Sequence, residues 1–111
     1  MALVRLKSGV KVRALSPQAV LASVVAQALY AEKGYEFVIT SISEGIHSRA
    51  SRHYEGDAFD CRSHVIPEAQ RESFAATLQD RLGDDFDVIL ESDHIHVEWQ
   101  PQGQLREVKR S

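Results

Sequence analysis

The chain has 111 residues, 43% hydrophobic and 26% charged, with six Gly, three Pro and a net charge of −3. That is enough for one compact domain and excludes a disordered or collagen-like chain. Sixteen acidic against thirteen basic residues argue against nucleic acid as a partner, and the single Cys excludes an internal disulfide or a multi-Cys zinc site.

The first ten residues carry Arg5 and Lys7 but no apolar run of secretory length, so no signal peptide is expected. No apolar run approaches the ~18–20 residues of a membrane span, so no membrane partner is expected. Short apolar patterns at 3–6 and 10–15 flank Ser8-Gly9, which predicts a turn or a small hairpin. Ser16-Pro17 marks a helix start, with Ser as the cap and Pro at the first helical position. Val20, Leu21, Val24, Val25, Ala28 and Leu29 follow at helical spacing and are expected to face the core, and Gly34 stops the helix.

Residues 36–42 predict a buried strand, 44–52 a loop and 56–61 a second strand. Residues 67–82 predict a helix with Phe74, Ala75, Leu78 and Leu82 on one side and Gly83 at its end. Residues 86–90 form a further strand. Ile95, Val97 and Trp99 alternate with His94, His96 and Glu98 in a half-buried last one. Pro101 and Gly103 end it before a solvated tail that holds Arg106, Lys109 and Arg110. No repeat or linker divides the chain, so a single α+β domain is expected, with two helices packed on a small, mainly antiparallel sheet.

Four of the five His fall in two clusters, 47–60 and 91–96, at expected loop-to-strand junctions. Such junctions are where a scaffold commonly presents functional groups. Imidazole and carboxylate suit Zn²⁺, and a catalytic zinc site typically has three protein ligands and a water. His53, Asp60 and one His of the second cluster would make such a set. His94 and His96 are two apart and share a face on a strand.

The pattern Ser51-x-His53-x-x-Gly56-x-Ala58-x-Asp60, followed by Asp93-His94-x-His96, resembles the zinc D-alanyl-D-alanine metallopeptidase family. That family includes D,D-carboxypeptidases, D,D-dipeptidases and phage L-alanyl-D-glutamate endolysins, and it shares its fold with the signalling domain of hedgehog proteins. Glu44-Gly45, His47-Ser48, His53-Tyr54-Glu55-Gly56 and Glu91-Ser92 are also similar to hedgehog. The resemblance spans residues 39–98 and implies a hedgehog-like α+β fold.

It further implies that His53, Asp60 and His96 hold the zinc. Asp93 would accept a proton from the attacking water and pass it to the leaving amine, with Glu91 as the alternative acid. His94, with His47, would face the oxyanion. Ser51 would support the ligand loop, and Gly56 would make a tight turn between ligands. Arg49, Arg52 and Arg13 are candidates for the arginine that binds the substrate carboxylate.

The expected activity is zinc-dependent hydrolysis of peptidoglycan stem peptides, of the D-Ala-D-Ala or L-Ala-D-Glu type. The small size and the lack of an evident secretory segment fit a phage or prophage lytic enzyme, reaching the wall after lysis or from the virion. The alternatives are a non-catalytic zinc-containing binding module and a small fold that zinc merely stabilises.

Other residues have plainer readings. Cys61 is expected to pack inward as a small apolar group, and His64 to lie on the surface. Asp84, Asp85 and Asp87 read as an acidic turn without calcium-ligand spacing. Glu98 and Trp99 are expected either in a substrate groove or at an edge or core position.

Overall fold

The computed structural model of the protein describes residues 5–10, 15–43 and 56–100. Ser8-Gly9 turn the chain as expected, and the Val10 N–H donates to the Lys7 carbonyl at 3.0 Å. The strand before that turn, β1 (Arg5–Leu6), pairs in parallel with β2 (Val38–Ser43). Residues 11–14 of the far arm of the expected hairpin, the expected loop at 44–52 and the expected tail lie outside the described residues.

Helix α1 (Pro17–Glu32) begins where its capping residues place it. The Ser16 hydroxyl accepts from the Ala19 N–H at 3.2 Å, satisfying one of the first-turn donors that a helix leaves unpaired. Lys33 ends the helix, and Gly34 reverses the chain at φ 81°, a left-handed conformation that a Cβ disfavours.

The face that α1 buries differs from the one expected. Ala19, Ala22, Ser23, Ala26, Leu29 and Tyr30 are buried, while Val20, Leu21 and Val24 are exposed, Leu21 to 61%. Of the expected stripe only Leu29 is buried, and Val25 packs at the margin of the core. Both faces carry apolar residues at helical spacing, so periodicity alone does not choose between them. The alanines win because small side chains let the helix axis approach its neighbours closely.

The remaining strands are β3 (Ala58–Arg62), β4 (Phe86–Leu90) and β5 (His94–Trp99). They form a five-stranded sheet of order β1-β2-β3-β5-β4, antiparallel except for the β1–β2 pair. The chain is therefore α+β with a mixed sheet and two helices. The second helix opens more tightly than expected: a 3₁₀ turn (Glu68–Gln70) precedes α2 (Arg71–Leu82). Phe74, Ala75 and Leu78 are its buried residues, and the Gly83 N–H closes it on the Gln79 carbonyl.

One core joins both helices to one side of the sheet. Ala22, Ala26, Leu29 and Tyr30 of α1 and Phe74 and Leu78 of α2 meet Ile39, Phe59, Cys61, Ile95 and Val97. The Tyr30 ring lies edge-on to Phe74 at 4.8 Å, and its hydroxyl donates to the Arg62 carbonyl at 2.7 Å. A buried tyrosine is thus satisfied at its polar tip while its ring fills the core. The Gln79 amide pins α2 to β4: it donates to the Phe86 carbonyl at 2.7 Å and accepts from the Val88 N–H at 2.9 Å. No helix among the described residues is long and apolar enough to cross a membrane.

The two faces of α1 predict opposite responses to mutation. Leu21→Glu should change unfolding free energy by no more than about 0.5 kcal/mol, as surface substitutions usually do. Leu29→Ala should cost about 2–5 kcal/mol, because it empties a fully buried site. Urea titrations of both variants check the assignment.

Candidate metal and catalytic site

Strand alternation builds this site. In β3 Phe59 and Cys61 enter the core, so Asp60 and Arg62 belong to the opposite face. In β5 Ile95, Val97 and Trp99 turn to the core, so His94, His96 and Glu98 share that opposite face. The antiparallel register then sets Asp60 across from His96, Arg62 across from His94 and Ala58 across from Glu98. Two residues some thirty-six positions apart in sequence become direct cross-strand neighbours.

Asp60 is the hub. Its Oδ1 lies 2.8 Å from His96 Nδ1 and 3.6 Å from His94 Nε2. Its Oδ2 accepts from the Ser41 hydroxyl at 2.8 Å. Ser41 reaches it because β2 carries an irregularity: Ile39 pairs with Cys61 but Ser41 pairs with Asp60. The extra residue lets Ile39 and Ile42, three apart, both pack on the core while Ser41 turns to the carboxylate.

His96 stands between two carboxylates. Its Nδ1 faces Asp60, and its Nε2 lies 3.1 Å from Glu98 Oε1. The Asp60 hydrogen bond raises the His96 pKa above its usual value; burial opposes this and Glu98 adds to it. Partial burial pushes the Asp60 carboxyl up, but the hydrogen bonds from His96 and Ser41 and the two imidazole charges outweigh it, leaving the carboxyl below its usual range. His94 is oriented from its other side: Nδ1 lies 2.6 Å from Asp93 Oδ1.

Asp93 sits in the turn between β4 and β5, as its parity with His96 requires, and its side chain is 84% exposed. Glu91, the alternative acid, is exposed in the same turn, and its backbone N–H donates to the His94 carbonyl at 2.9 Å. The structure thus brings together Asp60, Asp93, His94 and His96. His47, Arg49, Ser51, Arg52, His53 and Arg13 lie outside the described residues. Gly56 makes the expected turn with φ 75°, and its carbonyl accepts from the Ser16 N–H at 3.0 Å. Among the described residues no group of three or more His, Cys, Asp or Glu side chains is arranged to hold a metal ion. The chemistry of the pair nevertheless fits one: a carboxylate and an imidazole nitrogen face each other, with a hydroxyl donating to the carboxylate.

Ser41 and Arg62 are not assigned to this site by the sequence, whereas Glu98, expected either in a groove or at an edge or core position, is buried beside His96. Parity with His94 and His96 carries the signal for Glu98, and parity with Asp60 that for Arg62. Ser41 has none, since its approach depends on the bulge. Trp99 belongs to the core side rather than to a groove. His64 is exposed as expected. Asp84 and Asp85 form a turn, but Asp87 lies on β4 in register with Glu98.

Asp57, next to Gly56, is buried with neither carboxylate oxygen hydrogen-bonded in good geometry, and burial raises its pKa against the opposing influence of the Ser16 hydroxyl. Searches of the chain against protein-family models, curated proteins and solved structures found no match.

The alternation that turns Asp60 to the site sends Cys61 inward, where burial pushes its thiol up to about 12 against the opposing influence of the Tyr30 hydroxyl at 3.4 Å. A group whose acid form is kept in the folded state loses stability as pH rises past its unfolded pKa, here about 8.5. Native protein at pH 8 should therefore resist iodoacetamide. Alkylation should appear only with unfolding, and alkaline pH should lower the denaturation midpoint. Fast labelling of folded protein would contradict the burial.

Proposed function

We propose that this chain is a zinc-dependent peptidase of hedgehog-like fold that hydrolyses peptide bonds in peptidoglycan stem peptides. The observation that carries the reading is the cross-strand convergence of Asp60, His94 and His96 on one face of the sheet. This is the convergence that the resemblance of residues 51–60 and 93–96 to the D-alanyl-D-alanine metallopeptidases requires. Asp60 and His96 would hold the ion together with His53. A zinc ion supplies Lewis acidity towards the scissile carbonyl and activates water at neutral pH.

The chain's own groups divide the remaining work. Asp93 is preferred over Glu91 as proton carrier because its carboxylate touches a residue of the site, lying 2.6 Å from His94 Nδ1. It takes the proton of the attacking water and returns it to the leaving amine. His94, held at Nδ1 by Asp93, directs Nε2 to the side where Asp60 lies. Nε2 is the nitrogen placed to face the developing oxyanion, a role shared with His47. Arg62, in register with His94, joins Arg49 and Arg52 as a cation for a substrate carboxylate.

The high exposure of Asp93 favours one rival, a zinc-containing binding module of the same fold with no hydrolytic step. The two are separated by mass spectrometry of fragments released from purified peptidoglycan by zinc-loaded protein. The peptidase reading predicts fragments cut at a stem-peptide bond, lost with His53→Ala. Asp93→Asn should slow release by about 10²–10⁴-fold, and Glu91→Gln by only a few-fold. Zinc binding with no release in any sample would favour the binding module and end the peptidase proposal.

A further inference from the structure

Glu98 is among the largest side chains that the fold buries completely, and it ends in a carboxyl group. A carboxylate taken out of water costs free energy unless hydrogen bonds or an opposite charge offset it. Its strand neighbours do not supply that charge, since register places Ala58 on one side and Asp87 on the other. His96 Nε2 lies against it at 3.1 Å. The opposite nitrogen, Nδ1, faces Asp60 at 2.8 Å. The ring is thus held edge to edge between a half-buried carboxylate and a fully buried one.

A neutral imidazole carries one N–H, and the nitrogen that lacks it has the lone pair. A cation shared by Asp60 and His96 has to meet that lone pair on the side of Asp60, which is Nδ1. The proton must then reside on Nε2, opposite Glu98. We infer that Glu98 is a positioning residue that accepts the Nε2–H hydrogen bond of His96 and thereby presents Nδ1 as the metal-binding nitrogen. This rests on the zinc reading above and deepens it by naming the nitrogen and the group that selects it. Carboxylates in this second position commonly fix the tautomer and orientation of a ligating histidine.

The test uses the full chain and zinc itself. Zinc affinity is measured by competition with a chelating dye for wild type, Glu98→Ala, Glu98→Gln and His53→Ala, with circular dichroism as the check on folding. Glu98→Ala should bind zinc about 10–100-fold more weakly. Glu98→Gln should recover most of that loss, because the amide oxygen still accepts the Nε2–H bond, a rescue that a purely electrostatic role would not give. Long-range ¹H–¹⁵N spectra of zinc-loaded wild type should show His96 with a slowly exchanging Nε2–H and a ligated Nδ1. This spectrum decides the matter even if Glu98→Ala does not fold.

Equal zinc affinity in wild type and Glu98→Ala, no rescue by Gln, or ligation through Nε2 each overturns the inference while leaving zinc binding intact. No zinc binding by wild type overturns the zinc reading and this inference together.

Discussion

The register between β3 and β5 is the constraint on which the site depends. With Asp60 opposite His96, Phe59 and Cys61 fall to the core together with Ile95 and Val97. A slip of β3 by one residue would push Asp60 into the apolar layer and bring Phe59 into water, leaving His96 without its partner. Burial of those four core side chains therefore enforces the juxtaposition of the two polar ones. The hydrogen bond between Asp60 and His96 does not need to be strong to be reliable, because the packing behind it fixes where both strands lie.

The site face is chemically unlike the helix face. Asp60, Asp87 and Glu98 bring negative charge to it, and two imidazoles lie among them. Raised histidine and lowered aspartate pKa values are two views of the same attraction. Glu98 is the costly member, buried as deeply as the aliphatic residues beside it.

The helix ends were legible because caps are local chemistry: Ser16-Pro17 opens α1, Gly34 follows it, and Gly83 closes α2. Strands β4 and β5 were legible from composition and alternation, and alternation also announced that His94 and His96 share a face. The buried face of α1 is not legible, because Val20, Leu21 and Val24 are more apolar than the alanines that pack inward. Which side faces the sheet is a tertiary choice, made by how closely a helix can approach. The parallel pairing of β1 with β2 and the bulge that delivers Ser41 to Asp60 are long-range events with no local signal. Glu98 had the right parity, but its complete burial could not be read from the chain.

The proposed peptidase requires Asp60 and His96 to share one zinc ion with His53. Metal analysis after equilibrium dialysis against zinc, with X-ray absorption at the zinc edge, tests that most directly. One zinc per chain in a shell of nitrogen and oxygen donors, abolished by His53→Ala and by Asp60→Ala in protein that remains folded, is the predicted result. A folded wild-type chain that emerges without zinc, or one whose zinc survives loss of Asp60, would contradict it.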